Sequence, residues 1–256
     1  ISMPKLGAEK LVHKILQPSI RFERNKCVDL PPCMYIDLEI PMTDGQKKAY
    51  DQMRKQLVIE YESGLITAAN AAVKAMKLTQ VACGWVKDDE GKVHELDSKT
   101  RLDELWTIYE NTHRGKLVVF AAFRAAVEGI ANFFLSKKVK AEFIHGSVAQ
   151  NRRAALISDF QNGELNVLVI QPQSTSHGVT LTAADTIVWQ SLVPSGEVYN
   201  QANGRITRIG QTRKQTIIHM IGCQAERRVR TILKNKDSMS KGTLELFADP
   251  RQEDFT

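Results

Sequence analysis

The residues best suited to chemistry lie in one run, Gln201-Ala-Asn-Gly-Arg205-Ile-Thr-Arg208-Ile-Gly-Gln211. On a helix, offsets of four and three bring Gln201, Arg205 and Arg208 to one face, so an amide and two guanidinium groups point the same way. A guanidinium is permanently charged and offers a planar fork of donors. That suits it to phosphoryl oxygens on which negative charge grows during transfer. The same spacing also describes an ordinary solvated basic face, and the run taken alone favours that reading.

Hydroxyls such as those of Ser147, Ser174 and Thr182 are of a type that can hold phosphates without reading bases. Ser147 could equally cap the helix after it, and Thr182 could open the turn Leu181-Thr-Ala-Ala. His145 and His177 have no carboxylate or cysteine at ligand spacing, so neither metal binding nor general-base work is favoured, and no metal site is expected. Cys27, Cys33, Cys83 and Cys223 lie far apart with no C-x-x-C pair, which leaves no disulfide framework or zinc cage and fits reduced thiols in the cytoplasm. Neither G-x-x-x-x-G-K-[ST] nor a D-E-x-x pair in a strand context occurs, so the usual means of cradling a triphosphate and holding its metal are absent from these 256 residues.

The elements that must position these groups change character along the chain. Leu30-Pro31-Pro32 breaks any helix, and Tyr35 to Pro41 alternates like a strand. Thr43 and Gln46 form a capping box that starts a helix running to about Tyr61, and a second helix is expected from about Thr67 to Ala82, stopping before Gly84. The polar stretch Lys87 to Lys99 reads as a domain boundary. Beyond it, five short apolar runs (Leu117–Phe120, Ala141–Ile144, Val167–Ile170, Thr186–Trp189 and Thr216–Ile221) alternate with amphipathic stretches at about Ala125–Ser136, Ala149–Phe160 and Gly196–Arg208. This alternation predicts an α/β fold, a parallel sheet with helices on both faces, preceded by a mainly helical connector. From about Ala225 a final helix carries Val229, Ile232 and Leu233 on one stripe amid basic residues. The phenylalanines at 120, 133, 134, 143 and 160 recur at apolar positions and read as core.

Composition is that of a globular chain, 43% hydrophobic and 25% charged, with 35 Lys and Arg against 29 Asp and Glu. The net charge of +6 points weakly to a polyanionic partner. No apolar run approaches the roughly 20 residues of a membrane span. The sequence opens on Ile1 and reads as part of a longer protein.

Taken in order, the motifs resemble the C-terminal RecA-like lobe of Swi/Snf-type superfamily-two helicases and translocases. Gln201 to Gln211 resembles motif VI of that family, and Gln171 to Trp189, with Ser174, His177 and Gly178, resembles motif V in a form similar to phage-encoded members. Val118-Val119-Phe120 with Arg124 resembles motif IV, and Phe143-Ile144-His145-Gly146-Ser147 with Arg153 and Phe160 resembles the block after it. Met42-Thr43-x-x-Gln46-x-x-x-Tyr50 and Leu78-Thr-Gln80-x-x-Cys83-Gly84 are similar to the family's segment between lobes. The resemblance spans about Leu30 to Phe247. This sequence departs from the pattern at Ser174-Thr175-Ser176, where glycines are usual, at Thr180, where an asparagine is usual, and at Pro194, where a tryptophan is common.

The resemblance implies a RecA-like fold and a DNA-dependent ATPase. It assigns Arg205 and Arg208 as arginine fingers, Gln201 and Gly178 as ATP-binding, and Arg124, Ser147, Ser174 and Thr182 as DNA-binding. ATP and magnesium would be held mainly by a first RecA-like lobe outside this sequence, so this chain alone would be inactive. The expected division is residues 1–96 as connector, 97–224 as the lobe and 225–256 as a C-terminal brace helix and tail. The implied partners are DNA and that first lobe, in the cytoplasm or, for a phage protein, the host cytoplasm. A nucleic-acid-binding module that has lost ATPase coupling is the alternative.

Overall fold

The computed structural model describes residues 30–62, 68–87, 92–112, 115–175 and 179–245. In chain order these form strand β1 (Cys33–Glu39), helices α1 (Asp44–Glu62) and α2 (Ala68–Cys83), and the antiparallel pair β2 (Trp85–Lys87) and β3 (Val93–Glu95). Then follow α3 (Lys99–Glu110), β4 (Leu117–Phe120), α4 (Arg124–Ser136), β5 (Ala141–Ile144), α5 (Gln150–Asn162), β6 (Val167–Ile170) and a 3-10 turn (Pro172–Thr175). The chain continues through β7 (Thr186–Trp189), α6 (Gly196–Asn203), β8 (Gln215–Ile221) and α7 (Gln224–Glu245).

Among the described residues, six strands form one parallel sheet in the order β1-β8-β7-β4-β6-β5. Every residue of β4 and β6 is buried, which requires cover on both faces. The two-residue period of a strand divides them: Val118, Phe120, Leu168 and Ile170 face a core with Leu156 and Phe160 of α5, whereas Leu117, Val119, Val167 and Val169 face a second core with α4. Helix α4 presents Ala126, Val127, Ile130, Ala131 and Phe134 to that face, the stripe expected of a 3.6-residue repeat. The predicted parallel sheet with helices on both faces is therefore the observed architecture.

Local signals hold as well. Thr43 N donates to Gln46 Oε1 at 3.1 Å and Gln46 N to Thr43 Oγ1 at 3.3 Å, a closed capping box at the head of α1. Helix α2 stops at Gly84, whose φ of +93° suits glycine. A Cβ there would also lie 2.4 Å from the Ser98 Cβ.

Strand β1, read from the sequence as part of the connector, pairs in parallel with β8 from Cys33↔Gln215 to Glu39↔Ile221. The main sheet thus draws strands from both sides of the boundary expected near residue 97. In α7, Leu233 is buried and Val229 packs on the core, but Ile232 is exposed, and the inward positions are taken by Glu226 and Arg230. Leu30–Leu233 form one compact unit, and the described part of a second unit is the far end of α7, Lys234–Glu245. No helix among the described residues is long and apolar enough to cross a membrane.

Candidate functional site

Gln201 lies in the last turn of α6, but the helix ends at Asn203, and Arg205 and Arg208 stand in the irregular turns that follow. The single helical face expected from their spacing is therefore not formed. The cause is packing. Asn203 accepts a hydrogen bond from the buried Trp189 indole at 2.9 Å, and Ile206 is fully buried, so the chain bends inward after Gly204 instead of continuing along the surface.

These turns are held on several sides. The Leu181 N–H donates to the Arg205 carbonyl at 2.9 Å, and Gln211, 5% exposed, donates to the Ala184 carbonyl at 2.8 Å. Arg208 Nη1 donates to Thr180 Oγ1 at 3.1 Å and to the Val179 carbonyl at 3.3 Å. Thr180, one of the departures from the family pattern, thus helps to steady Arg208. Arg205 is 7% exposed; burial first, and the neighbouring Arg208 charge second, push its guanidinium below its ordinary pKa. Two cations brought this close in a poorly solvated place are suited to a polyanion. The Gln201 amide bonds Glu197 at 3.1 Å on the exposed surface. Gly178 and His177 lie outside the described residues.

A second group forms where ligands meet parallel sheets, at the carboxyl ends of β4, β6 and β5. Arg124, 60% exposed, donates from Nη1 to Ser147 Oγ at 3.0 Å and from Nε to Glu128 Oε1 at 2.8 Å. The same Glu128 oxygen lies 3.0 Å from His145 Nε2, and the Ser147 N–H donates to His145 Nδ1 at 3.3 Å. With Nδ1 accepting from Ser147 and Nε2 facing Glu128, the ring is a strut between the loop and α4. Arg153 ties the same loop through the Val148 and Gly146 carbonyls, each at 2.7 Å. Ser147 therefore does not cap α5, whose N-cap is Ala149. Ser174 sits on the adjacent 3-10 turn and lines a cavity of about 340 Å³ with Ile144, Gln150, Arg153, Ile157 and Val179.

Thr182 is not brought to this group. Its hydroxyl accepts from Gln161 at 3.2 Å, at the far end of α5, and the Leu181–Ala184 turn leads to the amino end of β7. Arg124, Ser147 and Ser174 thus share one end of the sheet and Thr182 sits at the other. Glu128 and His145 were not assigned roles from sequence. The i,i+4 spacing of Arg124 and Glu128 was the available signal.

Two buried networks join distant segments. Arg101 and Glu226, each about 1% exposed, pair at 2.9 and 2.8 Å, and Arg101 also donates to the Gln190 carbonyl. The second Glu226 oxygen accepts from the Gly222 N–H at 2.7 Å. Across β1 and β8, Asp37 Oδ1 meets His219 Nδ1 at 2.9 Å and Arg230 Nε at 2.7 Å, while His219 Nε2 meets the Tyr199 hydroxyl at 2.8 Å. Burial, and then the Arg230 charge, push His219 down to about 4 from 6.5. A histidine with a depressed folded pKa stabilises the fold fully above its unfolded value, and that contribution is lost as pH falls from about 6.5 toward 4. The loss approaches about 1.4 kcal/mol per pH unit inside that window. His219→Gln is expected to flatten the profile, checked by denaturant unfolding at stepped pH against the parent chain. An unchanged slope would show that His219 is not the titrating group.

Among the described residues no three His, Cys, Asp or Glu side chains gather to hold a metal ion. The arginine turns are suited to neutralising phosphate charge, and they carry no carboxylate set that would hold magnesium.

Residues 99–210 match the model of the helicase conserved C-terminal domain. An uncharacterized ATP-dependent helicase of Mycoplasma genitalium is 25% identical over 242 residues, 92% of this chain and 23% of the relative. Protein p41 of Acyrthosiphon pisum secondary endosymbiont phage 1 is 26% identical over 197 residues, 75% of this chain and 39% of the relative. The Sulfolobus solfataricus SWI2/SNF2 ATPase core solved in complex with dsDNA superposes with a TM-score of 0.64 at 20% identity, covering 95% of this chain and 55% of that one. The chain thus spans well under half the length of these two curated relatives.

Proposed function

We propose that this chain, whose residues 99–210 match the helicase conserved C-terminal domain and whose fold is like that of a SWI2/SNF2 ATPase core, is the second motor lobe of a DNA-dependent ATPase. The observation that carries this reading is the pair Arg205 and Arg208, near enough for the Arg208 charge to act on Arg205, on turns anchored to the sheet and to the β6–β7 connection. ATP and magnesium would be held mainly by a first lobe. Bound there, ATP would supply the phosphoryl group to be transferred and magnesium would neutralise charge on its oxygens. Arg205 and Arg208 would place fixed positive charge where negative charge develops, with nothing to reorganise at the moment of reaction. In this scheme residues 97–224 are the motor lobe, with β1 of the 1–96 connector completing its sheet and Val229 and Leu233 of α7 packing on its core.

DNA would cross the carboxyl ends of β4, β6 and β5, gripped through its backbone by Arg124, Ser147 and Ser174. Thr182 has no part in that grip, because it lies at the opposite end of the sheet. Glu128 and His145 act as positioning residues that hold Arg124 toward the strand. A titration of fluorescent duplexes of unrelated sequence at several salt concentrations tests this. Binding is expected to be weak and indifferent to sequence, with log affinity falling linearly against log salt. Arg124→Ala should weaken all duplexes alike and reduce the salt slope by about one. Sequence-selective or salt-insensitive binding would remove the backbone grip.

A further inference from the structure

We propose that Ile209 is a docking contact, an apolar tip that seats on the nucleotide-holding lobe of the complete protein when the two lobes close. The proposal rests on the two-lobe reading above and adds to it the surface by which the lobes engage. Ile209 is 80% exposed, more than any other exposed large hydrophobic side chain among the described residues. It is held there by its neighbours. Three residues earlier Ile206 is fully buried, and two residues later Gln211 is pinned inside by the Ala184 carbonyl at 2.8 Å. Between these anchors the Gln211 N–H closes a turn on the Arg208 carbonyl at 3.0 Å, and Gly210 takes a φ of +99°. A Cβ added at Gly210 would meet nothing within 4 Å, so the tip stands at an open surface.

Isolated exposed apolar residues are common and mean little by themselves. This one directly follows Arg208 and is raised from a well-anchored base. Whatever covers it is brought beside the arginine pair. A DNA backbone gives an isoleucine little to pack against, whereas an apolar patch on a protein lobe does. The chain spans 55% of the Sulfolobus core, so a protein of that kind carries a comparable length beyond it.

The test uses the complete protein. Ile209→Asp is expected to lower DNA-stimulated kcat by about tenfold or more, the scale of losing one buried apolar side chain. DNA affinity and melting temperature should stay unchanged, and Ile209→Met should stay within about twofold of the parent. With p-benzoylphenylalanine at position 209, irradiation in the presence of duplex DNA and a non-hydrolysable ATP analogue should give a cross-link to the nucleotide-holding lobe that is lost when either is omitted. Normal turnover in Ile209→Asp overturns the proposal, as does a cross-link to DNA or none at all. Arg205→Ala, measured alongside, separates the two ideas. Normal turnover in Arg205→Ala with the cross-link present removes the arginine role and leaves docking standing. Lost turnover in Arg205→Ala with a normal Ile209→Asp removes docking alone.

Discussion

Arg205→Ala and Arg208→Ala, each made in the complete two-lobe protein, are expected to lower DNA-stimulated ATP turnover by on the order of a thousandfold or more. The magnitude follows from where the charge acts. Arg205 is largely buried beside Arg208, and both are steadied by hydrogen bonds or packing before any nucleotide arrives. Such preorganised charge is most effective where water is excluded and phosphoryl charge is growing. ATP affinity should change less, because the first lobe would make most of the ground-state contacts. Arg→Lys should rescue poorly at either position, since an ammonium keeps the charge and loses the fork. Turnover is read beside the melting temperature of each variant. Near-normal turnover in the alanine variants would make the pair ordinary structural cations.

Glu226→Ala is expected to destabilise the fold by about 3–5 kcal/mol, the usual cost of leaving one member of a buried ion pair without its partner. Arg101 would remain about 1% exposed with its guanidinium charge uncompensated. Burial opposes that charge and the Glu226 carboxylate more than offsets it, so the net displacement of the Arg101 pKa is upward. The same substitution orphans the Gly222 N–H. Replacing both partners, Arg101→Met with Glu226→Leu, should recover most of the loss, because apolar groups of similar volume need no counter-charge. Urea unfolding of the single and double variants measures this. A double variant as unstable as Glu226→Ala would mean that shape, not charge, governs the site.

The parts of the molecule legible in the sequence are those written in local periodicity. The five apolar runs became strands β4 to β8, the Thr43 and Gln46 pair closed its capping box, and α2 stopped at Gly84. What misled was spacing taken without tertiary context. Arg205 and Arg208 keep helical offsets from Gln201, yet the burial of Ile206 and the Asn203–Trp189 bond end the helix before them. Thr182 follows Ser174 by eight residues, but those residues carry the chain from the carboxyl end of one strand to the amino end of the next. Arg230 is one of the basic residues flanking the apolar stripe of the final helix. Its partner, Asp37, lies 193 positions away on a strand that itself needs β8 to pair with. Contacts at such separation leave no periodic trace in one sequence, and Arg101 with Glu226, 125 positions apart, is hidden for the same reason.

The central claim, that this chain is one half of a DNA-stimulated ATP motor, is tested most directly by steady-state ATP hydrolysis with and without duplex DNA, in the complete protein and in this chain alone. The expected result is turnover by the complete protein that rises with DNA to saturation, and none above the buffer control from this chain at any DNA concentration. Turnover by the complete protein that ignores DNA, or measurable hydrolysis by this chain alone, would contradict it.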